Sequence, residues 1–113
     1  MTDYAHSSDI LKAMSHPVRL QILDLLRQGE ICVCHIERVI NKRQAYVSQQ
    51  LMALRDANLV EARKDGLQVY YWISKPQVLD ILEILCGENP PEYERLDNCP
   101  CPMCTSIPIS AIS

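Results

Sequence analysis

Residues 30–73 read EICVCHIERVINKRQAYVSQQLMALRDANLVEARKDGLQVYYWI, and a change of period inside this stretch decides the fold. From about His35 to Ile40, the apolar residues Ile36, Val39 and Ile40 predict a short helix, which the turn Asn41-Lys42 ends. A second helix is predicted from Arg43 or Gln44. Within it Val47, Leu51 and Leu54 fall at i, i+4 and i+7, forming one buried stripe that leaves Gln44, Tyr46, Gln49 and Gln50 on other faces. Two helices joined by a tight turn, the second polar on its outside, read as a helix-turn-helix. After Asn58 the period shortens. Leu59–Arg63 and Leu67–Ile73 are predicted strands, the second rich in β-branched and aromatic residues, with Lys64-Asp65-Gly66 as the turn between them. That hairpin is a two-stranded wing.

Outward from this stretch, Ser7 or Ser8 is placed to cap a short helix carrying Ile10, Leu11 and Met14, which His16-Pro17 interrupts. Pro17 suits the first turn of another helix, along which Val18, Ile22, Leu25 and Leu26 recur until Gln28-Gly29, with Gly29 as the expected C-terminal cap. Beyond the wing, Pro76 opens a last helix to about Leu85. Its Val78, Leu79, Ile81, Leu82, Ile84 and Leu85 are apolar over more than one face, more than a small domain buries alone, so a dimer is expected. Glu88–Asp97, with Pro90-Pro91, has the composition of a linker, and Asn98–Ser113 is a Pro/Ser/Cys tail without helical or strand period. The predicted organisation is a mainly α, dimeric winged helix-turn-helix domain with a two-stranded β-hairpin over residues 1-86. An acidic linker and cysteine-containing tail follow over 87-113.

A chain of 113 residues, 48% hydrophobic and 22% charged, is one globular domain with no room for a separate catalytic one. Met1–Asp9 has no basic region leading into an apolar one and no long apolar run follows, so a soluble, cytoplasmic protein with no membrane partner is expected. The net charge of -3 argues against indiscriminate coating of nucleic acid. It conceals an asymmetry, however. Between Arg38 and Lys75 stand seven basic residues (Arg38, Lys42, Arg43, Arg55, Arg63, Lys64, Lys75) against three acidic ones (Asp56, Glu61, Asp65). A basic centre between acidic ends is the polarity of a chain with one face toward phosphates, although a solvated mixed-charge face fits it equally.

With these elements in order, residues Lys12–Leu85 resemble the ArsR/SmtB family of winged-helix transcriptional repressors. The carriers are Met14-Ser15-His16-Pro17-Val18-Arg19-Leu20-Gln21-Ile22-Leu23, Glu30-Ile31-Cys32-Val33-Cys34-His35-Ile36, the run Val47–Val60, and Asp65-Gly66-Leu67-Gln68-Val69-Tyr70-Tyr71. The resemblance implies a homodimer paired through its first and last helices that binds an operator palindrome in double-stranded DNA and leaves it when an inducer binds. Two departures from the family pattern stand out. Members with the core Cys-Val-Cys-Asp-Leu-Cys carry a third thiol where this chain has Glu37, and Asp where it has His35, so a third ligand must come from elsewhere. Members with a zinc site on the final helix use Asp and His there, and His6, His16 and His35 all lie outside that helix.

Cys32 and Cys34 are two residues apart, so in a regular helix their side chains diverge by roughly 200°, whereas in extended backbone they share a side. Joint chelation therefore requires a non-helical or distorted start to the helix that follows. On the residues alone they read equally as two small core residues or as ligands; the resemblance turns the reading to ligands. The cluster Cys99-Pro100-Cys101-Pro102-Met103-Cys104 is the second candidate. Its prolines forbid a helix interior, and a short segment carrying Cys99, Cys101 and Cys104 could wrap a soft ion and reach Cys32 and Cys34 in its own or the partner subunit. Cys86 reads as structural. Soft thiolates without nearby histidines or carboxylates favour a thiophilic inducer: As(III), or Sb(III) as its congener, in a three-sulfur site. Cd(II), Pb(II) or Zn(II) in a four-thiolate site is the alternative, and a thiol redox or persulfide sensor is another. No organic cofactor is expected.

For DNA, Gln44, Tyr46, Ser48 and Gln49 occupy the early turns of the predicted reader helix, where side chains reach major-groove edges. Lys42, Arg43, Arg63 and Lys64 are the expected phosphate contacts, the last two from the wing. An enzyme is not expected, because Cys34 and His35 are adjacent and neighbours on a helix or strand do not face one another.

Overall fold

The computed structural model describes residues 2–88, and the tail with Cys99, Cys101 and Cys104 lies outside them. The chain runs α1 (Tyr4–Met14), α2 (Pro17–Leu26), β1 (Ile31–Cys32), α3 (Val33–Ile40), α4 (Gln44–Asp56), β2 (Val60–Asp65), β3 (Gln68–Ile73) and α5 (Pro76–Cys86). This is the expected winged helix-turn-helix, with local differences. The first helix begins earlier than Ser7 or Ser8, because Asp3 caps it by accepting from the His6 N–H at 3.1 Å. The third begins at Val33 rather than near His35. The sheet has three strands rather than two, because Ile31–Cys32 pairs antiparallel with β3 in the order β1-β3-β2. A strand of two residues is too short to show a period, which hid it in the sequence.

Turn chemistry sets the element boundaries. His16 is extended, its Nδ1 accepts from the Val18 N–H at 3.2 Å, and Pro17 follows at the first helical position, where its missing N–H is no loss. Helix α2 ends at Leu26 with Arg27 as its C-cap, and Gly29 (φ 129°) follows two residues later, its N–H donating to Leu26 O at 3.1 Å. Asn41 closes α3 in the left-handed region (φ 57°, ψ 44°), leaving a short turn into α4 as expected. At the far end of α4, Asn58 is also left-handed (φ 63°). The Leu59 N–H reaches Leu54 O at 3.0 Å and the Asn58 N–H reaches Arg55 O at 2.9 Å, a Schellman closure that turns Leu59 into the core. In the wing, Asp65 pairs with Gln68, so the tight turn is Gly66-Leu67 rather than Lys64-Asp65-Gly66. Gly66 supplies the positive φ (63°) at its first position, and Leu67 is exposed at the tip.

The core is a single cluster drawn from every helix and the sheet, with Ile22, Leu23, Leu26, Ile36, Val47, Leu51, Leu54, Leu59, Val60, Val78 and Leu82 all fully or almost fully enclosed. Val47, Leu51 and Leu54 are the predicted stripe of α4. The last helix buries only Val78 and Leu82, leaving Leu79, Ile84 and Leu85 exposed along with Leu11 of α1. Among the described residues no helix is long and apolar enough to cross a membrane.

Deleting a fully enclosed leucine removes its transfer energy and leaves a cavity. Leu51→Ala is therefore expected to lower unfolding stability by about 2–5 kcal/mol, read as a lower urea midpoint; an unchanged midpoint would mean that α4 is not anchored by this stripe.

Candidate functional site

Helix α4 is held from behind by two polar links to α2. Gln50 was expected on a face away from the buried stripe, but it is buried, and its Oε1 accepts from Arg19 Nε at 2.8 Å while Arg19 Nη1 donates to Ala13 O at 3.3 Å. A single guanidinium thus ties α1, α2 and α4 together. One turn earlier, the half-buried Tyr46 sets its hydroxyl 3.4 Å from His16 Nε2, with the rings 6.4 Å apart. Tyr46, expected among the base-contacting positions, is thereby engaged with the residue that caps α2. Neither link has a sequence signature beyond position: Tyr46 and Gln50 are four residues apart and flank the apolar stripe, the one place where a polar residue on α4 is forced inward.

The opposite face of α4 is open. Gln44, Ser48 and Gln49 are exposed, as are Lys42 and Arg43 in the turn that precedes the helix. Met52 and Arg55, not singled out in the sequence, continue this exposed face toward the wing. Between them and the sheet lies an open cleft of about 680 Å³ bounded by Ser48, Met52, Arg55, Asp56, Asn58, Glu61 and Tyr71. Lys64 projects exposed from β2. Arg63, its neighbour, is already engaged: it ion-pairs with Glu30, lies 3.7 Å from Asp65 Oδ2, and sits over the Tyr70 ring at 4.6 Å from the centroid.

The two internal cysteines meet where backbone changes type. Cys32 is the last residue of β1 and also the extended N-cap of α3 (φ -74°, ψ 153°), whereas Cys34 is already helical. The two Cα atoms are 5.4 Å apart and the sulfurs are joined as a disulfide. The non-helical helix start that joint use of the pair demands is therefore present. Cys32 is completely enclosed and Cys34 partly so. His35 turns the other way, into the core. Glu37, at the position where the third family thiol stands, is partly buried. One of its carboxylate oxygens is enclosed with no hydrogen-bond partner among the described residues, and desolvation raises its pKa above the ordinary value. Among the described residues no group of three or more His, Cys, Asp or Glu is arranged to hold a metal ion. Cys86 is exposed at the end of α5.

Comparison with known proteins agrees with this architecture. The bacterial regulatory protein arsR family matches residues 16–62. An uncharacterised HTH-type transcriptional regulator of Methanocaldococcus jannaschii is 37% identical over 86 residues, covering 75% of this chain and 97% of that protein. The arsenical resistance operon repressor of Staphylococcus aureus is 38% identical over 82 residues (73% of this chain, 79% of that one). The cadmium resistance regulatory protein CadC of Listeria innocua is 35% identical over 78 residues (68% and 66%). Among solved structures, HlyU from Vibrio cholerae superposes with a TM-score of 0.70 at 35% identity, covering 73% of this chain and 89% of its own. A reduced form of that protein gives the same TM-score. The homodimeric winged helix-turn-helix DNA-binding domain of a possible ArsR-family regulator from Mycobacterium bovis matches at TM-score 0.67 and 35% identity, covering 74% of this chain and 77% of that one.

The raised Glu37 pKa has a sign. Between the ordinary carboxylate value and the raised native one, the folded state binds more protons than the unfolded chain, so this group's contribution to stability falls as pH rises through that window. Glu37→Gln removes the loss. The variant is expected to have a higher urea midpoint than the parent at neutral pH and the same midpoint below the ordinary glutamate value of about 4.3; equal midpoints at neutral pH would show the carboxyl to be solvated.

Proposed function

This chain belongs to the arsR family of bacterial regulatory proteins and is a transcriptional repressor; on that premise we propose that it binds operator DNA as a homodimer and leaves it when a thiophilic inducer occupies Cys32 and Cys34. The observation that carries the reading is the meeting of these two sulfurs at the β1–α3 junction, directly ahead of the helix-turn-helix. Two reduced thiols whose Cα atoms stand 5.4 Å apart are within reach of one soft ion, and any ion there acts on the backbone that leads into α3. As(III) or Sb(III) is the inducer assigned, with Cys32, Cys34 and one of Cys99, Cys101 and Cys104 as ligands; with the pair reduced, trivalent arsenic hydroxide would form three arsenic–sulfur bonds with three thiols, its three hydroxyls leaving with the thiol hydrogens as three waters. The arsenical and cadmium repressors among the relatives support a metal(loid) inducer of this class, with Cd(II), Pb(II) or Zn(II) in a four-thiolate site as the alternative.

A second reading is favoured by the bonding of the two sulfurs, and by the similarity to a regulator known in a reduced form. In it the pair is itself the sensor. A low-molecular-weight disulfide takes the two thiol hydrogens by exchange, leaving Cys32–Cys34 bonded and two small thiols released.

On the DNA side, the reading gives Gln44, Ser48 and Gln49 to base edges in the major groove, sets Tyr46 at the edge of that surface beside His16, and gives Lys42, Arg43 and Lys64 to phosphates. The apolar surface of Leu11, Leu79, Ile84 and Leu85 is assigned to the second copy. The protein acts in the cytoplasm.

With an operator selected from random duplexes, Cys32→Ser combined with Cys34→Ser is expected to keep DNA affinity while arsenite, cadmium, lead, zinc and diamide no longer release the protein in a gel shift. Release of the double variant by the wild-type inducer would remove the pair from sensing. Gln49→Ala is expected to weaken operator binding by about 1–3 kcal/mol while leaving non-specific duplex binding in place. Equal loss on both DNAs would assign Gln49 to the backbone instead.

A further inference from the structure

The register of the sheet aligns three residues in one row across all three strands. Cys32 of β1 stands opposite Tyr70 of β3, and Tyr70 stands opposite Arg63 of β2. Directly opposed residues in antiparallel strands project to the same face, so the three side chains share one side of the sheet. The row is physically joined at its outer end. The Arg63 guanidinium lies over the Tyr70 ring, 4.6 Å from its centroid, and it ion-pairs with Glu30, which stands two residues before Cys32 at the entry to β1. The result is a closed circuit: Glu30 leads through Ile31 to Cys32, Cys32 pairs with Tyr70, Tyr70 underlies Arg63, and Arg63 returns to Glu30. Among the described residues β1 pairs with β3, through Ile31 opposite Tyr71 and Cys32 opposite Tyr70.

We propose that this row, closed by the Glu30–Arg63 ion pair, is the element through which the state of the thiol pair sets the position of the wing, and that Arg63 is a positioning residue and not chiefly a phosphate contact. The inference rests on the reading of Cys32 and Cys34 as the sensing pair and adds the route by which they act. When the two sulfurs are drawn onto one atom or onto each other, the backbone at Cys32 must accommodate the new span. Ile31 and Cys32 are both fully enclosed, so β1 has no free space to move into, and the adjustment passes to Tyr70 by the ladder and to Arg63 through Glu30. Asp65, 3.7 Å from Arg63 near the turn of the wing, carries the same guanidinium's influence toward the tip. A charge already balanced by Glu30 and Asp65 offers a phosphate less than the exposed Lys64 does, whereas a guanidinium whose partners stand on β2, on β3 and at the entry to β1 defines where those strands lie.

The test uses the full-length chain with Cys86, Cys99, Cys101 and Cys104 replaced by serine, so that phenylarsine oxide meets only the pair. The reagent's arsenic–oxygen bond is exchanged for two arsenic–sulfur bonds, the two thiol hydrogens leave with the oxygen as water, and mass spectrometry counts the adduct. Operator affinity is measured with the pair reduced and with it bridged, and the ratio of the two is compared among this parent, Glu30→Gln, Arg63→Met and Arg63→Lys. Fluorescence of Trp72, the chain's one tryptophan, which lies on β3 opposite Glu61, follows the wing in each. The parent is expected to show a ratio within the roughly 5–150-fold range of allosteric couplings. In Glu30→Gln and Arg63→Met the ratio falls toward one, and the Trp72 response to bridging falls with it. Arg63→Lys, which keeps a cation over Tyr70, retains most of both. Loss of a mere phosphate contact lowers both affinities equally and leaves the ratio intact. An intact ratio in Glu30→Gln and Arg63→Met, with the adduct present, therefore overturns the relay while the sensing pair stands. A parent with the adduct but a ratio of one overturns the sensing role of the pair itself, and the relay with it.

Discussion

Helix α4 has to be anchored on one side while its other side stays open, and the rest of the molecule is arranged around that constraint. Its apolar stripe alone would hold it, but Val47, Leu51 and Leu54 are interchangeable grease that leaves rotation about the helix axis loosely defined. The directional contacts supply what the stripe lacks. Gln50 bonded to Arg19, and Tyr46 beside His16, fix which way Gln44, Ser48 and Gln49 point. Because Arg19 also reaches Ala13 O, the orientation of α4 is referred back to the α1–α2 corner. The Schellman closure at Asn58 then determines where β2 begins, and the wing inherits its position from the reader helix.

The second organising feature is the junction at Cys32, where one residue ends a strand and caps a helix. Extended backbone at Cys32 followed by helical backbone at Cys34 brings together two side chains that a continuous helix would hold apart. The junction also faces two ways. Forward lie α3 and the turn into α4; sideways lies β3 and, through it, the wing. The junction is therefore linked to both α4 and the wing by covalent or hydrogen-bonded steps.

Local signals in the sequence were strong where a single residue type had a single physical use. Pro17 and Pro76 open helices, Gly66 takes the positive φ of a two-residue hairpin turn, and the spacing of Val47, Leu51 and Leu54 marks the buried side of α4. The misplaced features all depend on partners distant in the chain. Gln50 looks like surface until Arg19, 31 residues earlier, arrives beside it. The pairing of Arg63 with Glu30, 33 residues earlier, has no local signal either. Strand β1 has no pattern of its own and exists only because β3 offers an edge. The first helix starts at Asp3 because that carboxylate finds the His6 N–H, a competition among several good capping residues that composition leaves open.

By itself the sequence determined the order of elements, the helix-turn-helix with its wing, the excess of apolar surface on the last helix, and the presence of a thiol pair at the entry to the third helix, because each follows from periods and turn residues acting over a few positions. Only the tertiary structure decided that Cys32 and Cys34 meet, that Tyr46 and Gln50 of α4 meet His16 and Arg19, and that Arg63 closes a row of contacts from Cys32 across the sheet. Those outcomes turn on which strands pair and in what register, and register is set by the burial of the whole core rather than by any local run of residues.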